Sequence, residues 1–276
     1  MLRHALQAWR AIVMRELMKF ARQYGRLVSA LVRPLLWLAV FAAGFRNVFG
    51  VAIVEPYDTY IAYDVYIAPG LVGMVLLFNG MQSSLAMVYD REMGLMRLLL
   101  TAPLPRWWIL FAKLSATAVL SLAQAAAFVL VAWALGTKLP LIGPEFLKVA
   151  PMVLAAAVAA ALMLGALGLL LSVHIKQLEN FAGTMNFVIF PMYFMSTALY
   201  PLWKLEESGA DWVYQIARFN PFTHAVEWLR FALYGKDAGI SPYIVLGTLA
   251  LCFGLAAWGY NPLRGFGQLA KRGGPA

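Results

Sequence analysis

Apolar residues fall into six runs, at positions 28–49, 65–88, 107–135, 149–173, 181–200 and 243–260. A helix needs about 20 residues to cross a hydrocarbon core roughly 30 Å thick, and inside that core it satisfies its own backbone. The pattern predicts an all-α integral membrane protein with six transmembrane helices in one domain, residues 1–276. Pro34 in the first run and Pro191 in the fifth predict kinks, because each removes a backbone donor. Gly165-Ala166-Leu167-Gly168 in the fourth run offers small residues for close helix approach.

Three stretches depart from this pattern. Residues 1–26 carry six Lys/Arg and no continuous apolar core, unlike a signal peptide. At helical spacing Leu6, Trp9, Val13, Leu17, Phe20 and Tyr24 share one face, with Arg15, Lys19, Arg22 and Arg26 opposite. That predicts an N-terminal amphipathic interface helix on the membrane surface, or the same helix packed on a soluble partner. Residues 89–106 open on Asp90, Arg91, Glu92 and Arg97, crowd Leu95, Met96, Leu98 and Leu99 into the middle, and stop at Thr101-Ala102-Pro103-Leu104-Pro105. A plain connector needs no such apolar content. A short helix with one wet and one greasy face, tethered to spans on both sides, is suited to touch something at the membrane surface. Residues 201–242 hold two short apolar-patterned pieces broken at Asn220-Pro221, too short to span and rich in Trp, Tyr and Phe. They read as an outer re-entrant helix pair or as an aromatic belt that only anchors the chain. Asn220 or Thr223 is placed to cap the second piece.

Composition sharpens the class. Apolar residues make up 62% of the chain and charged residues 13%, which is membrane-protein composition. The net charge of +9 follows the segments between the runs rather than a nucleic-acid patch. With the N-terminus inside, the inner segments hold fourteen Lys/Arg and the outer segments seven, so both termini and residues 89–106 are expected in the cytoplasm. Lys113 sits near the inner end of the third run, where it can snorkel. The single Cys252 lies in an apolar run, where it is expected simply to pack, and excludes an internal disulfide framework. His4, His174 and His224 are scattered and predict no metal site.

Tyr89-Asp90-Arg91-Glu92 with Gly94, then Leu98-Leu99-Leu100-Thr101-Ala102-Pro103-Leu104 and Arg106, after a run containing Pro69-Gly70, resembles the first cytoplasmic loop of type-2 ATP-binding-cassette exporter permeases. The resemblance extends from the amphipathic start to Asn220-Pro221-Phe222-Thr223 and the last run. It implies a coupling helix in residues 89–106 that sits in a cleft of a separate ATPase subunit. The contact residues would be Tyr89, Asp90, Arg91, Glu92, Gly94, Met96, Arg97, Leu100, Thr101, Ala102, Pro103 and Arg106, ion pairs setting register and Leu/Met supplying buried area. The resemblance also implies an outer gate at Asn220, Pro221, Phe222 and Thr223, and ATP and Mg bound by the partner with no cofactor in this chain.

Absent motifs agree with a divided machine. No Gly-x-x-x-x-Gly-Lys-Ser/Thr phosphate loop occurs, so any ATP must be bound by another chain. No charge falls in the middle of a run, which argues against an ion-coupled carrier. No Ser/His/Asp or paired-carboxylate arrangement suggests a membrane enzyme. The polar residues within runs cluster in the second (Asn79, Gln82, Ser83) and the fifth (Thr184, Asn186). They either line a translocation path or act as interhelical hydrogen-bond glue. Phe78, Phe187, Tyr193 and Phe194 would complete an adaptable apolar wall. The reading is a subunit of an ATP-driven exporter that homodimerises, joins two ATPase copies and moves a hydrophobic, amphipathic or lipid-linked substrate across the bacterial inner membrane. An ATP-independent carrier or channel, and a membrane assembly factor, are the rival readings.

Overall fold

The computed structural model describes residues 2–22, 24–45, 63–94, 105–136, 144–175, 177–207 and 209–260. Among them every regular element is a helix: α1 (Leu2–Ala21), α2 (Tyr24–Phe45), α3 (Tyr63–Glu92), α4 (Arg106–Ala134), α5 (Pro144–His174), α6 (Leu178–Phe194), α7 (Leu202–Glu207), α8 (Asp211–Phe219), α9 (Pro221–Leu233) and α10 (Ser241–Gly259).

Four of these are long and apolar enough to cross a membrane: α3, α4, α5 and α10. The other two predicted spans differ from these. Helix α2 covers 22 residues, Tyr24–Phe45, with Arg33 and Pro34 inside it and a described apolar stretch at Leu31–Val40, and positions 46–49 of the predicted run lie outside the described residues. Helix α6 covers 17 residues, or about 26 Å at a helical rise of 1.5 Å per residue. It ends because local polar groups compete with the helix: the Ser196 hydroxyl donates to the Tyr193 carbonyl and accepts from the Ala198 N–H. Residues 195–200 take up turns instead. Pro34 and Pro191 both lie inside helices that continue through them.

The bundle is built around α3 and α5. Helix α5 packs against α3, α4, α9 and α10, while α3 also meets α2, α4, α6 and α9. Two close approaches, of α3 to α5 and of α3 to the turns at 195–200, depend on glycine. A Cβ on Gly168 would come within 2.8 Å of the Gly80 carbonyl oxygen, and one on Gly70 within 2.4 Å of the Ala198 carbonyl oxygen. Ile67, Leu71, Met74, Leu77 and Met81 of α3 meet Ala156, Ala160, Met163 and Leu164 of α5 in the main core, joined by Phe222, Val226 and Leu229 of α9. Of the apolar stretch of α3, 72% is buried in the chain, against 17% for α10. Helix α10 therefore presents an apolar outer face, with Leu246, Leu251, Leu255 and Trp258 exposed, that suits lipid.

Helix α1 departs from the expected surface pose. Ile12 and Trp9 pack on Ile109 and Ala112 of α4, Phe20 is buried, and the Trp108 indole N–H donates to the Ala5 carbonyl at 2.9 Å. Arg15 and Lys19, expected on the opposite wet face, turn towards α3 instead. The outer segment also differs from two pieces: it forms α7, α8 and α9, with Gly209 at φ +70° in the turn before α8. The break at Asn220-Pro221 falls between α8 and α9, with Pro221 in the first helical position that its fixed φ favours.

Candidate functional site

Three consecutive charged residues at the end of α3 reach three different parts of the bundle. Asp90 is 1% exposed, and its carboxylate accepts from Lys113 of α4 at 2.9 Å and from Arg15 and Lys19 of α1, both at 3.2 Å. Glu16 completes the group, 2.6 Å from Arg15 and 3.8 Å from Lys113. Arg91 caps the C-terminal end of α5, donating to the Ser172 carbonyl at 2.9 Å and to the Ile175 carbonyl. These are carbonyls that a helix end leaves without intrahelical partners, at its negative pole. Glu92 does the reverse for α6: its carboxylate accepts the Leu178 N–H at 2.9 Å, at the helix's positive pole. One helical turn thus ties α3 to α1, α4, α5 and α6.

The predicted partner-contact residues are therefore in different situations. Asp90 is turned into the chain and satisfied there, Arg91 is half-buried, and Tyr89, Glu92 and Arg106 are exposed, with Lys19 over the Tyr89 ring at 5.7 Å. Gly94 takes φ +71° just after α3, a left-handed conformation suited to turning the chain. Met96, Arg97, Leu100, Thr101, Ala102 and Pro103 lie outside the described residues. Lys113 does not snorkel. It is 6% exposed, because Asp90 offers it a partner inside the bundle.

At the opposite end of α6, Asn220 performs two tasks with one amide. Its Oδ1 accepts the Phe222 N–H at 2.9 Å, capping α9, and its Nδ2 donates to the Met192 and Met195 carbonyls, both at 2.7 Å. The α8–α9 break is thereby fastened to the last turn of α6. Phe222 and Thr223 are buried beneath it, the Thr223 hydroxyl without a partner among the described residues. Nearby Arg230 is 1% exposed and bridges α9 to two other segments. It pairs with Glu227, donates to the Thr197 carbonyl at 2.9 Å and lies 4.1 Å from the Tyr66 ring centroid. Sequence reasoning passed over Arg230 as an ordinary outer charge. The available signal was Glu227 three residues before it, inside an otherwise apolar helical pattern.

The predicted path residues separate into groups. Phe78, Asn79 and Gln82 line one notch between α2 and α3 with Arg33, whose guanidinium lies 4.0 Å from the Phe78 ring centroid. Asn79 is buried and its Nδ2 has no partner among the described residues. Ser83 faces a different small cavity beside Lys19 and Lys113. On α6, Asn186 and Phe187 are exposed, Phe187 to 79%, while Tyr193 is buried. Phe78, Phe190 and Phe194 make consecutive ring contacts, and Phe194 also meets Tyr193 and Trp37. The fold thus joins Phe78 to Phe194 across α3 and α6. It does not gather all eight residues around one cavity.

These features, four membrane-length apolar helices packed into one bundle with polar fastenings at both ends, define a polytopic helical membrane protein. A family model described as ABC-2 type transporter matches residues 7–234, and the chain belongs to that family. The family comprises membrane subunits of ABC transporters, so the chain is a transport permease in class. It is 29% identical over 241 residues to the transport permease ycf38 of Porphyra purpurea, covering 87% of this chain and 78% of that protein. The Cyanophora paradoxa protein of the same name is 30% identical over 233 residues, covering 82% of this chain and 74% of that one.

Proposed function

We propose that the chain is the membrane half of an ATP-driven exporter, working as a homodimer with two copies of a separate ATPase subunit that binds ATP and Mg. Its cargo is hydrophobic, amphipathic or lipid-linked, and it moves outward across a bacterial inner membrane with both termini in the cytoplasm. The observation that carries this reading is the Asp90-Arg91-Glu92 turn. It borders residues 95–104, the segment assigned to the ATPase, and each of its charges holds a different helix. A displacement of that segment would be passed directly to α1, α4, α5 and α6 rather than lost in a loop.

Helix α6 is the transmitting element in this scheme. Glu92 holds its first turn and Asn220 its last, while its exposed Asn186 and Phe187 face outward from the chain, where a second copy would complete a path. Movement of α6 would carry the α8–α9 break with it and so open or close the outer end. Glu92→Arg replaces an acceptor at the positive pole of α6 with a cation, and Arg97→Glu reverses a charge within the segment assigned to the ATPase. Both variants should insert and dimerise, yet lose at least about tenfold in transport, as expected for reversing one interface or helix-end charge. Wild-type transport and cargo-stimulated ATP hydrolysis in both variants would reduce this end of α3 to a connector.

A further inference from the structure

The ionic cluster at the Asp90 end borders a cavity that the transport reading leaves without a role. It lies between α1, α3, α4 and α5 and holds about 470 Å³ of empty space. That is within the roughly 300–1,000 Å³ of ligand pockets. Of the proposed path residues only Ser83 borders it. Its lining has two kinds of chemistry. Glu16, Lys19 and Lys113 bring charge to it, and Phe20, Met87, Leu120 and Leu169 wall the rest. Leu120 lies one helical heptad beyond Lys113 on α4, so the apolar wall extends about 10 Å along the helix from the charged group.

The charges select the ligand. Arg15, Lys19 and Lys113 face Asp90 and Glu16, so the cluster carries more cations than carboxylates. Arg15 and Lys19 keep 40% and 35% side-chain exposure, and the buried Arg15 Nε has no partner among the described residues. Exposed Arg22 continues the same face of α1. A cationic ligand would meet this excess of like charge. A free anion would satisfy the charge and leave the apolar walls unfilled. An amphiphile bearing an anionic phosphate satisfies both, its oxygens accepting from Lys19 and the Arg15 guanidinium and a chain lying along the apolar wall. Glu16 is already countered by Arg15 at 2.6 Å. Basic pockets between membrane helices hold lipid head groups in this way.

We infer that this cavity is a site for one resident anionic phospholipid, with its phosphate on Lys19 and Arg15 and one acyl chain between Phe20, Leu120 and Leu169. The lipid is a structural component that joins α1 to the bundle, in a place apart from the proposed cargo path. Binding is measured on this chain without any ATPase, so failure of the lipid site and failure of the transport reading are separate results.

The experiment is native mass spectrometry of the purified, delipidated chain with phosphatidylglycerol or phosphatidylcholine of identical acyl chains. One phosphatidylglycerol per chain should be retained at concentrations where phosphatidylcholine is not. Lys19→Gln should weaken retention by about fivefold, the effect of losing one cation beside a lipid phosphate, and Lys19→Arg should retain it. Arg10→Gln removes the same charge from an exposed position of α1 outside the cavity and should leave retention unchanged. Leu120→Trp fills the apolar part without touching a charge, so it should abolish retention and remains informative if Lys19→Gln fails to fold. Inorganic phosphate and glycerol phosphate should not displace the lipid. Equal retention of the two lipids, equal loss in Lys19→Gln and Arg10→Gln, or undiminished retention in Leu120→Trp would each overturn the assignment. Displacement by inorganic phosphate would overturn it too, by showing a free-anion site.

Discussion

The two ends of α6 are fastened by different chemistry. At the Asp90 end the fastening is charged: the Glu92 carboxylate accepts the Leu178 N–H at the start of α6, and on the same turn the buried Asp90 carboxylate ties α3 to Lys113, Arg15 and Lys19. At the Asn220 end the direct fastening is neutral, one amide shared among three backbone groups. An ionic group holds several helices at once, yet its outer members remain adjustable: Arg15 and Lys19 keep 40% and 35% side-chain exposure. An amide meeting three backbone groups requires one geometry and loses its bonds when that geometry fails. The contrast suggests an adjustable joint where a partner is proposed to push and a stiff joint where a gate is proposed to swing.

The largest effect should come from breaking the ionic end. Asp90→Ala leaves the buried Lys113 with only Glu16, at 3.8 Å, to face its charge, and removing one partner of a buried pair typically costs about 3–5 kcal/mol. Thermal unfolding of the purified chain in detergent should show a large drop in midpoint. The double variant Asp90→Leu with Lys113→Met should regain much of the loss, because no buried charge is left uncompensated. An equally unstable double variant would mean that Asp90 acts mainly through α1.

Breaking the neutral end should cost less. Asn220→Ala removes a helix cap worth about 1 kcal/mol and two neutral hydrogen bonds worth about 1 kcal/mol each. Salt separates the two ends further. Raising the salt concentration should weaken the partly exposed Arg15 and Lys19 contacts and leave the Asn220 bonds unaffected. If Asn220→Ala loses its destabilising effect at high salt, the proposed distinction between the ends is wrong.

The smallest effect concerns pH. His224 joins the outer helices, its Nδ1 lying 3.2 Å from the Ser241 hydroxyl and its Nε2 3.1 Å from the Arg218 carbonyl. Burial holds its pKa below the ordinary value of 6.5, partly offset by the Arg218 carbonyl and by Glu227. The unfolded chain therefore takes up a proton before the folded one does. Stability from this group is present above about pH 6.5 and declines as the pH falls through and below that value. His224→Gln should flatten this part of the stability profile, and an unchanged profile would assign the pH dependence to another group.

Much of this arrangement was legible in the sequence, and the parts that were not share a cause. Run length and helical spacing identified the α3, α4, α5 and α10 spans, and Gly165 and Gly168 correctly marked a close approach. The motif at residues 89–106 pointed to the family that the match over residues 7–234 shows. Asp90 with Lys113, and Arg230 with the Thr197 carbonyl, join positions far apart along the chain, so no local pattern announces them. Near a span end each charge looked like an ordinary interfacial residue. The early end of α6 depended on a hydroxyl competing with the helix, which hydropathy does not register.

The central claim is that α6 carries motion from the Asp90 end to the outer helices. The direct test is a distance measurement by pulsed electron resonance on the reconstituted complex. Spin labels are placed at position 216 of α8 in both protomers, in a Cys252→Ser background. A slowly hydrolysed ATP analogue should shift the label-to-label distance when α6 is intact. Glu92→Ala and Asn220→Ala should each abolish that shift while nucleotide binding persists. The same shift in both variants as in the wild-type complex would contradict the account.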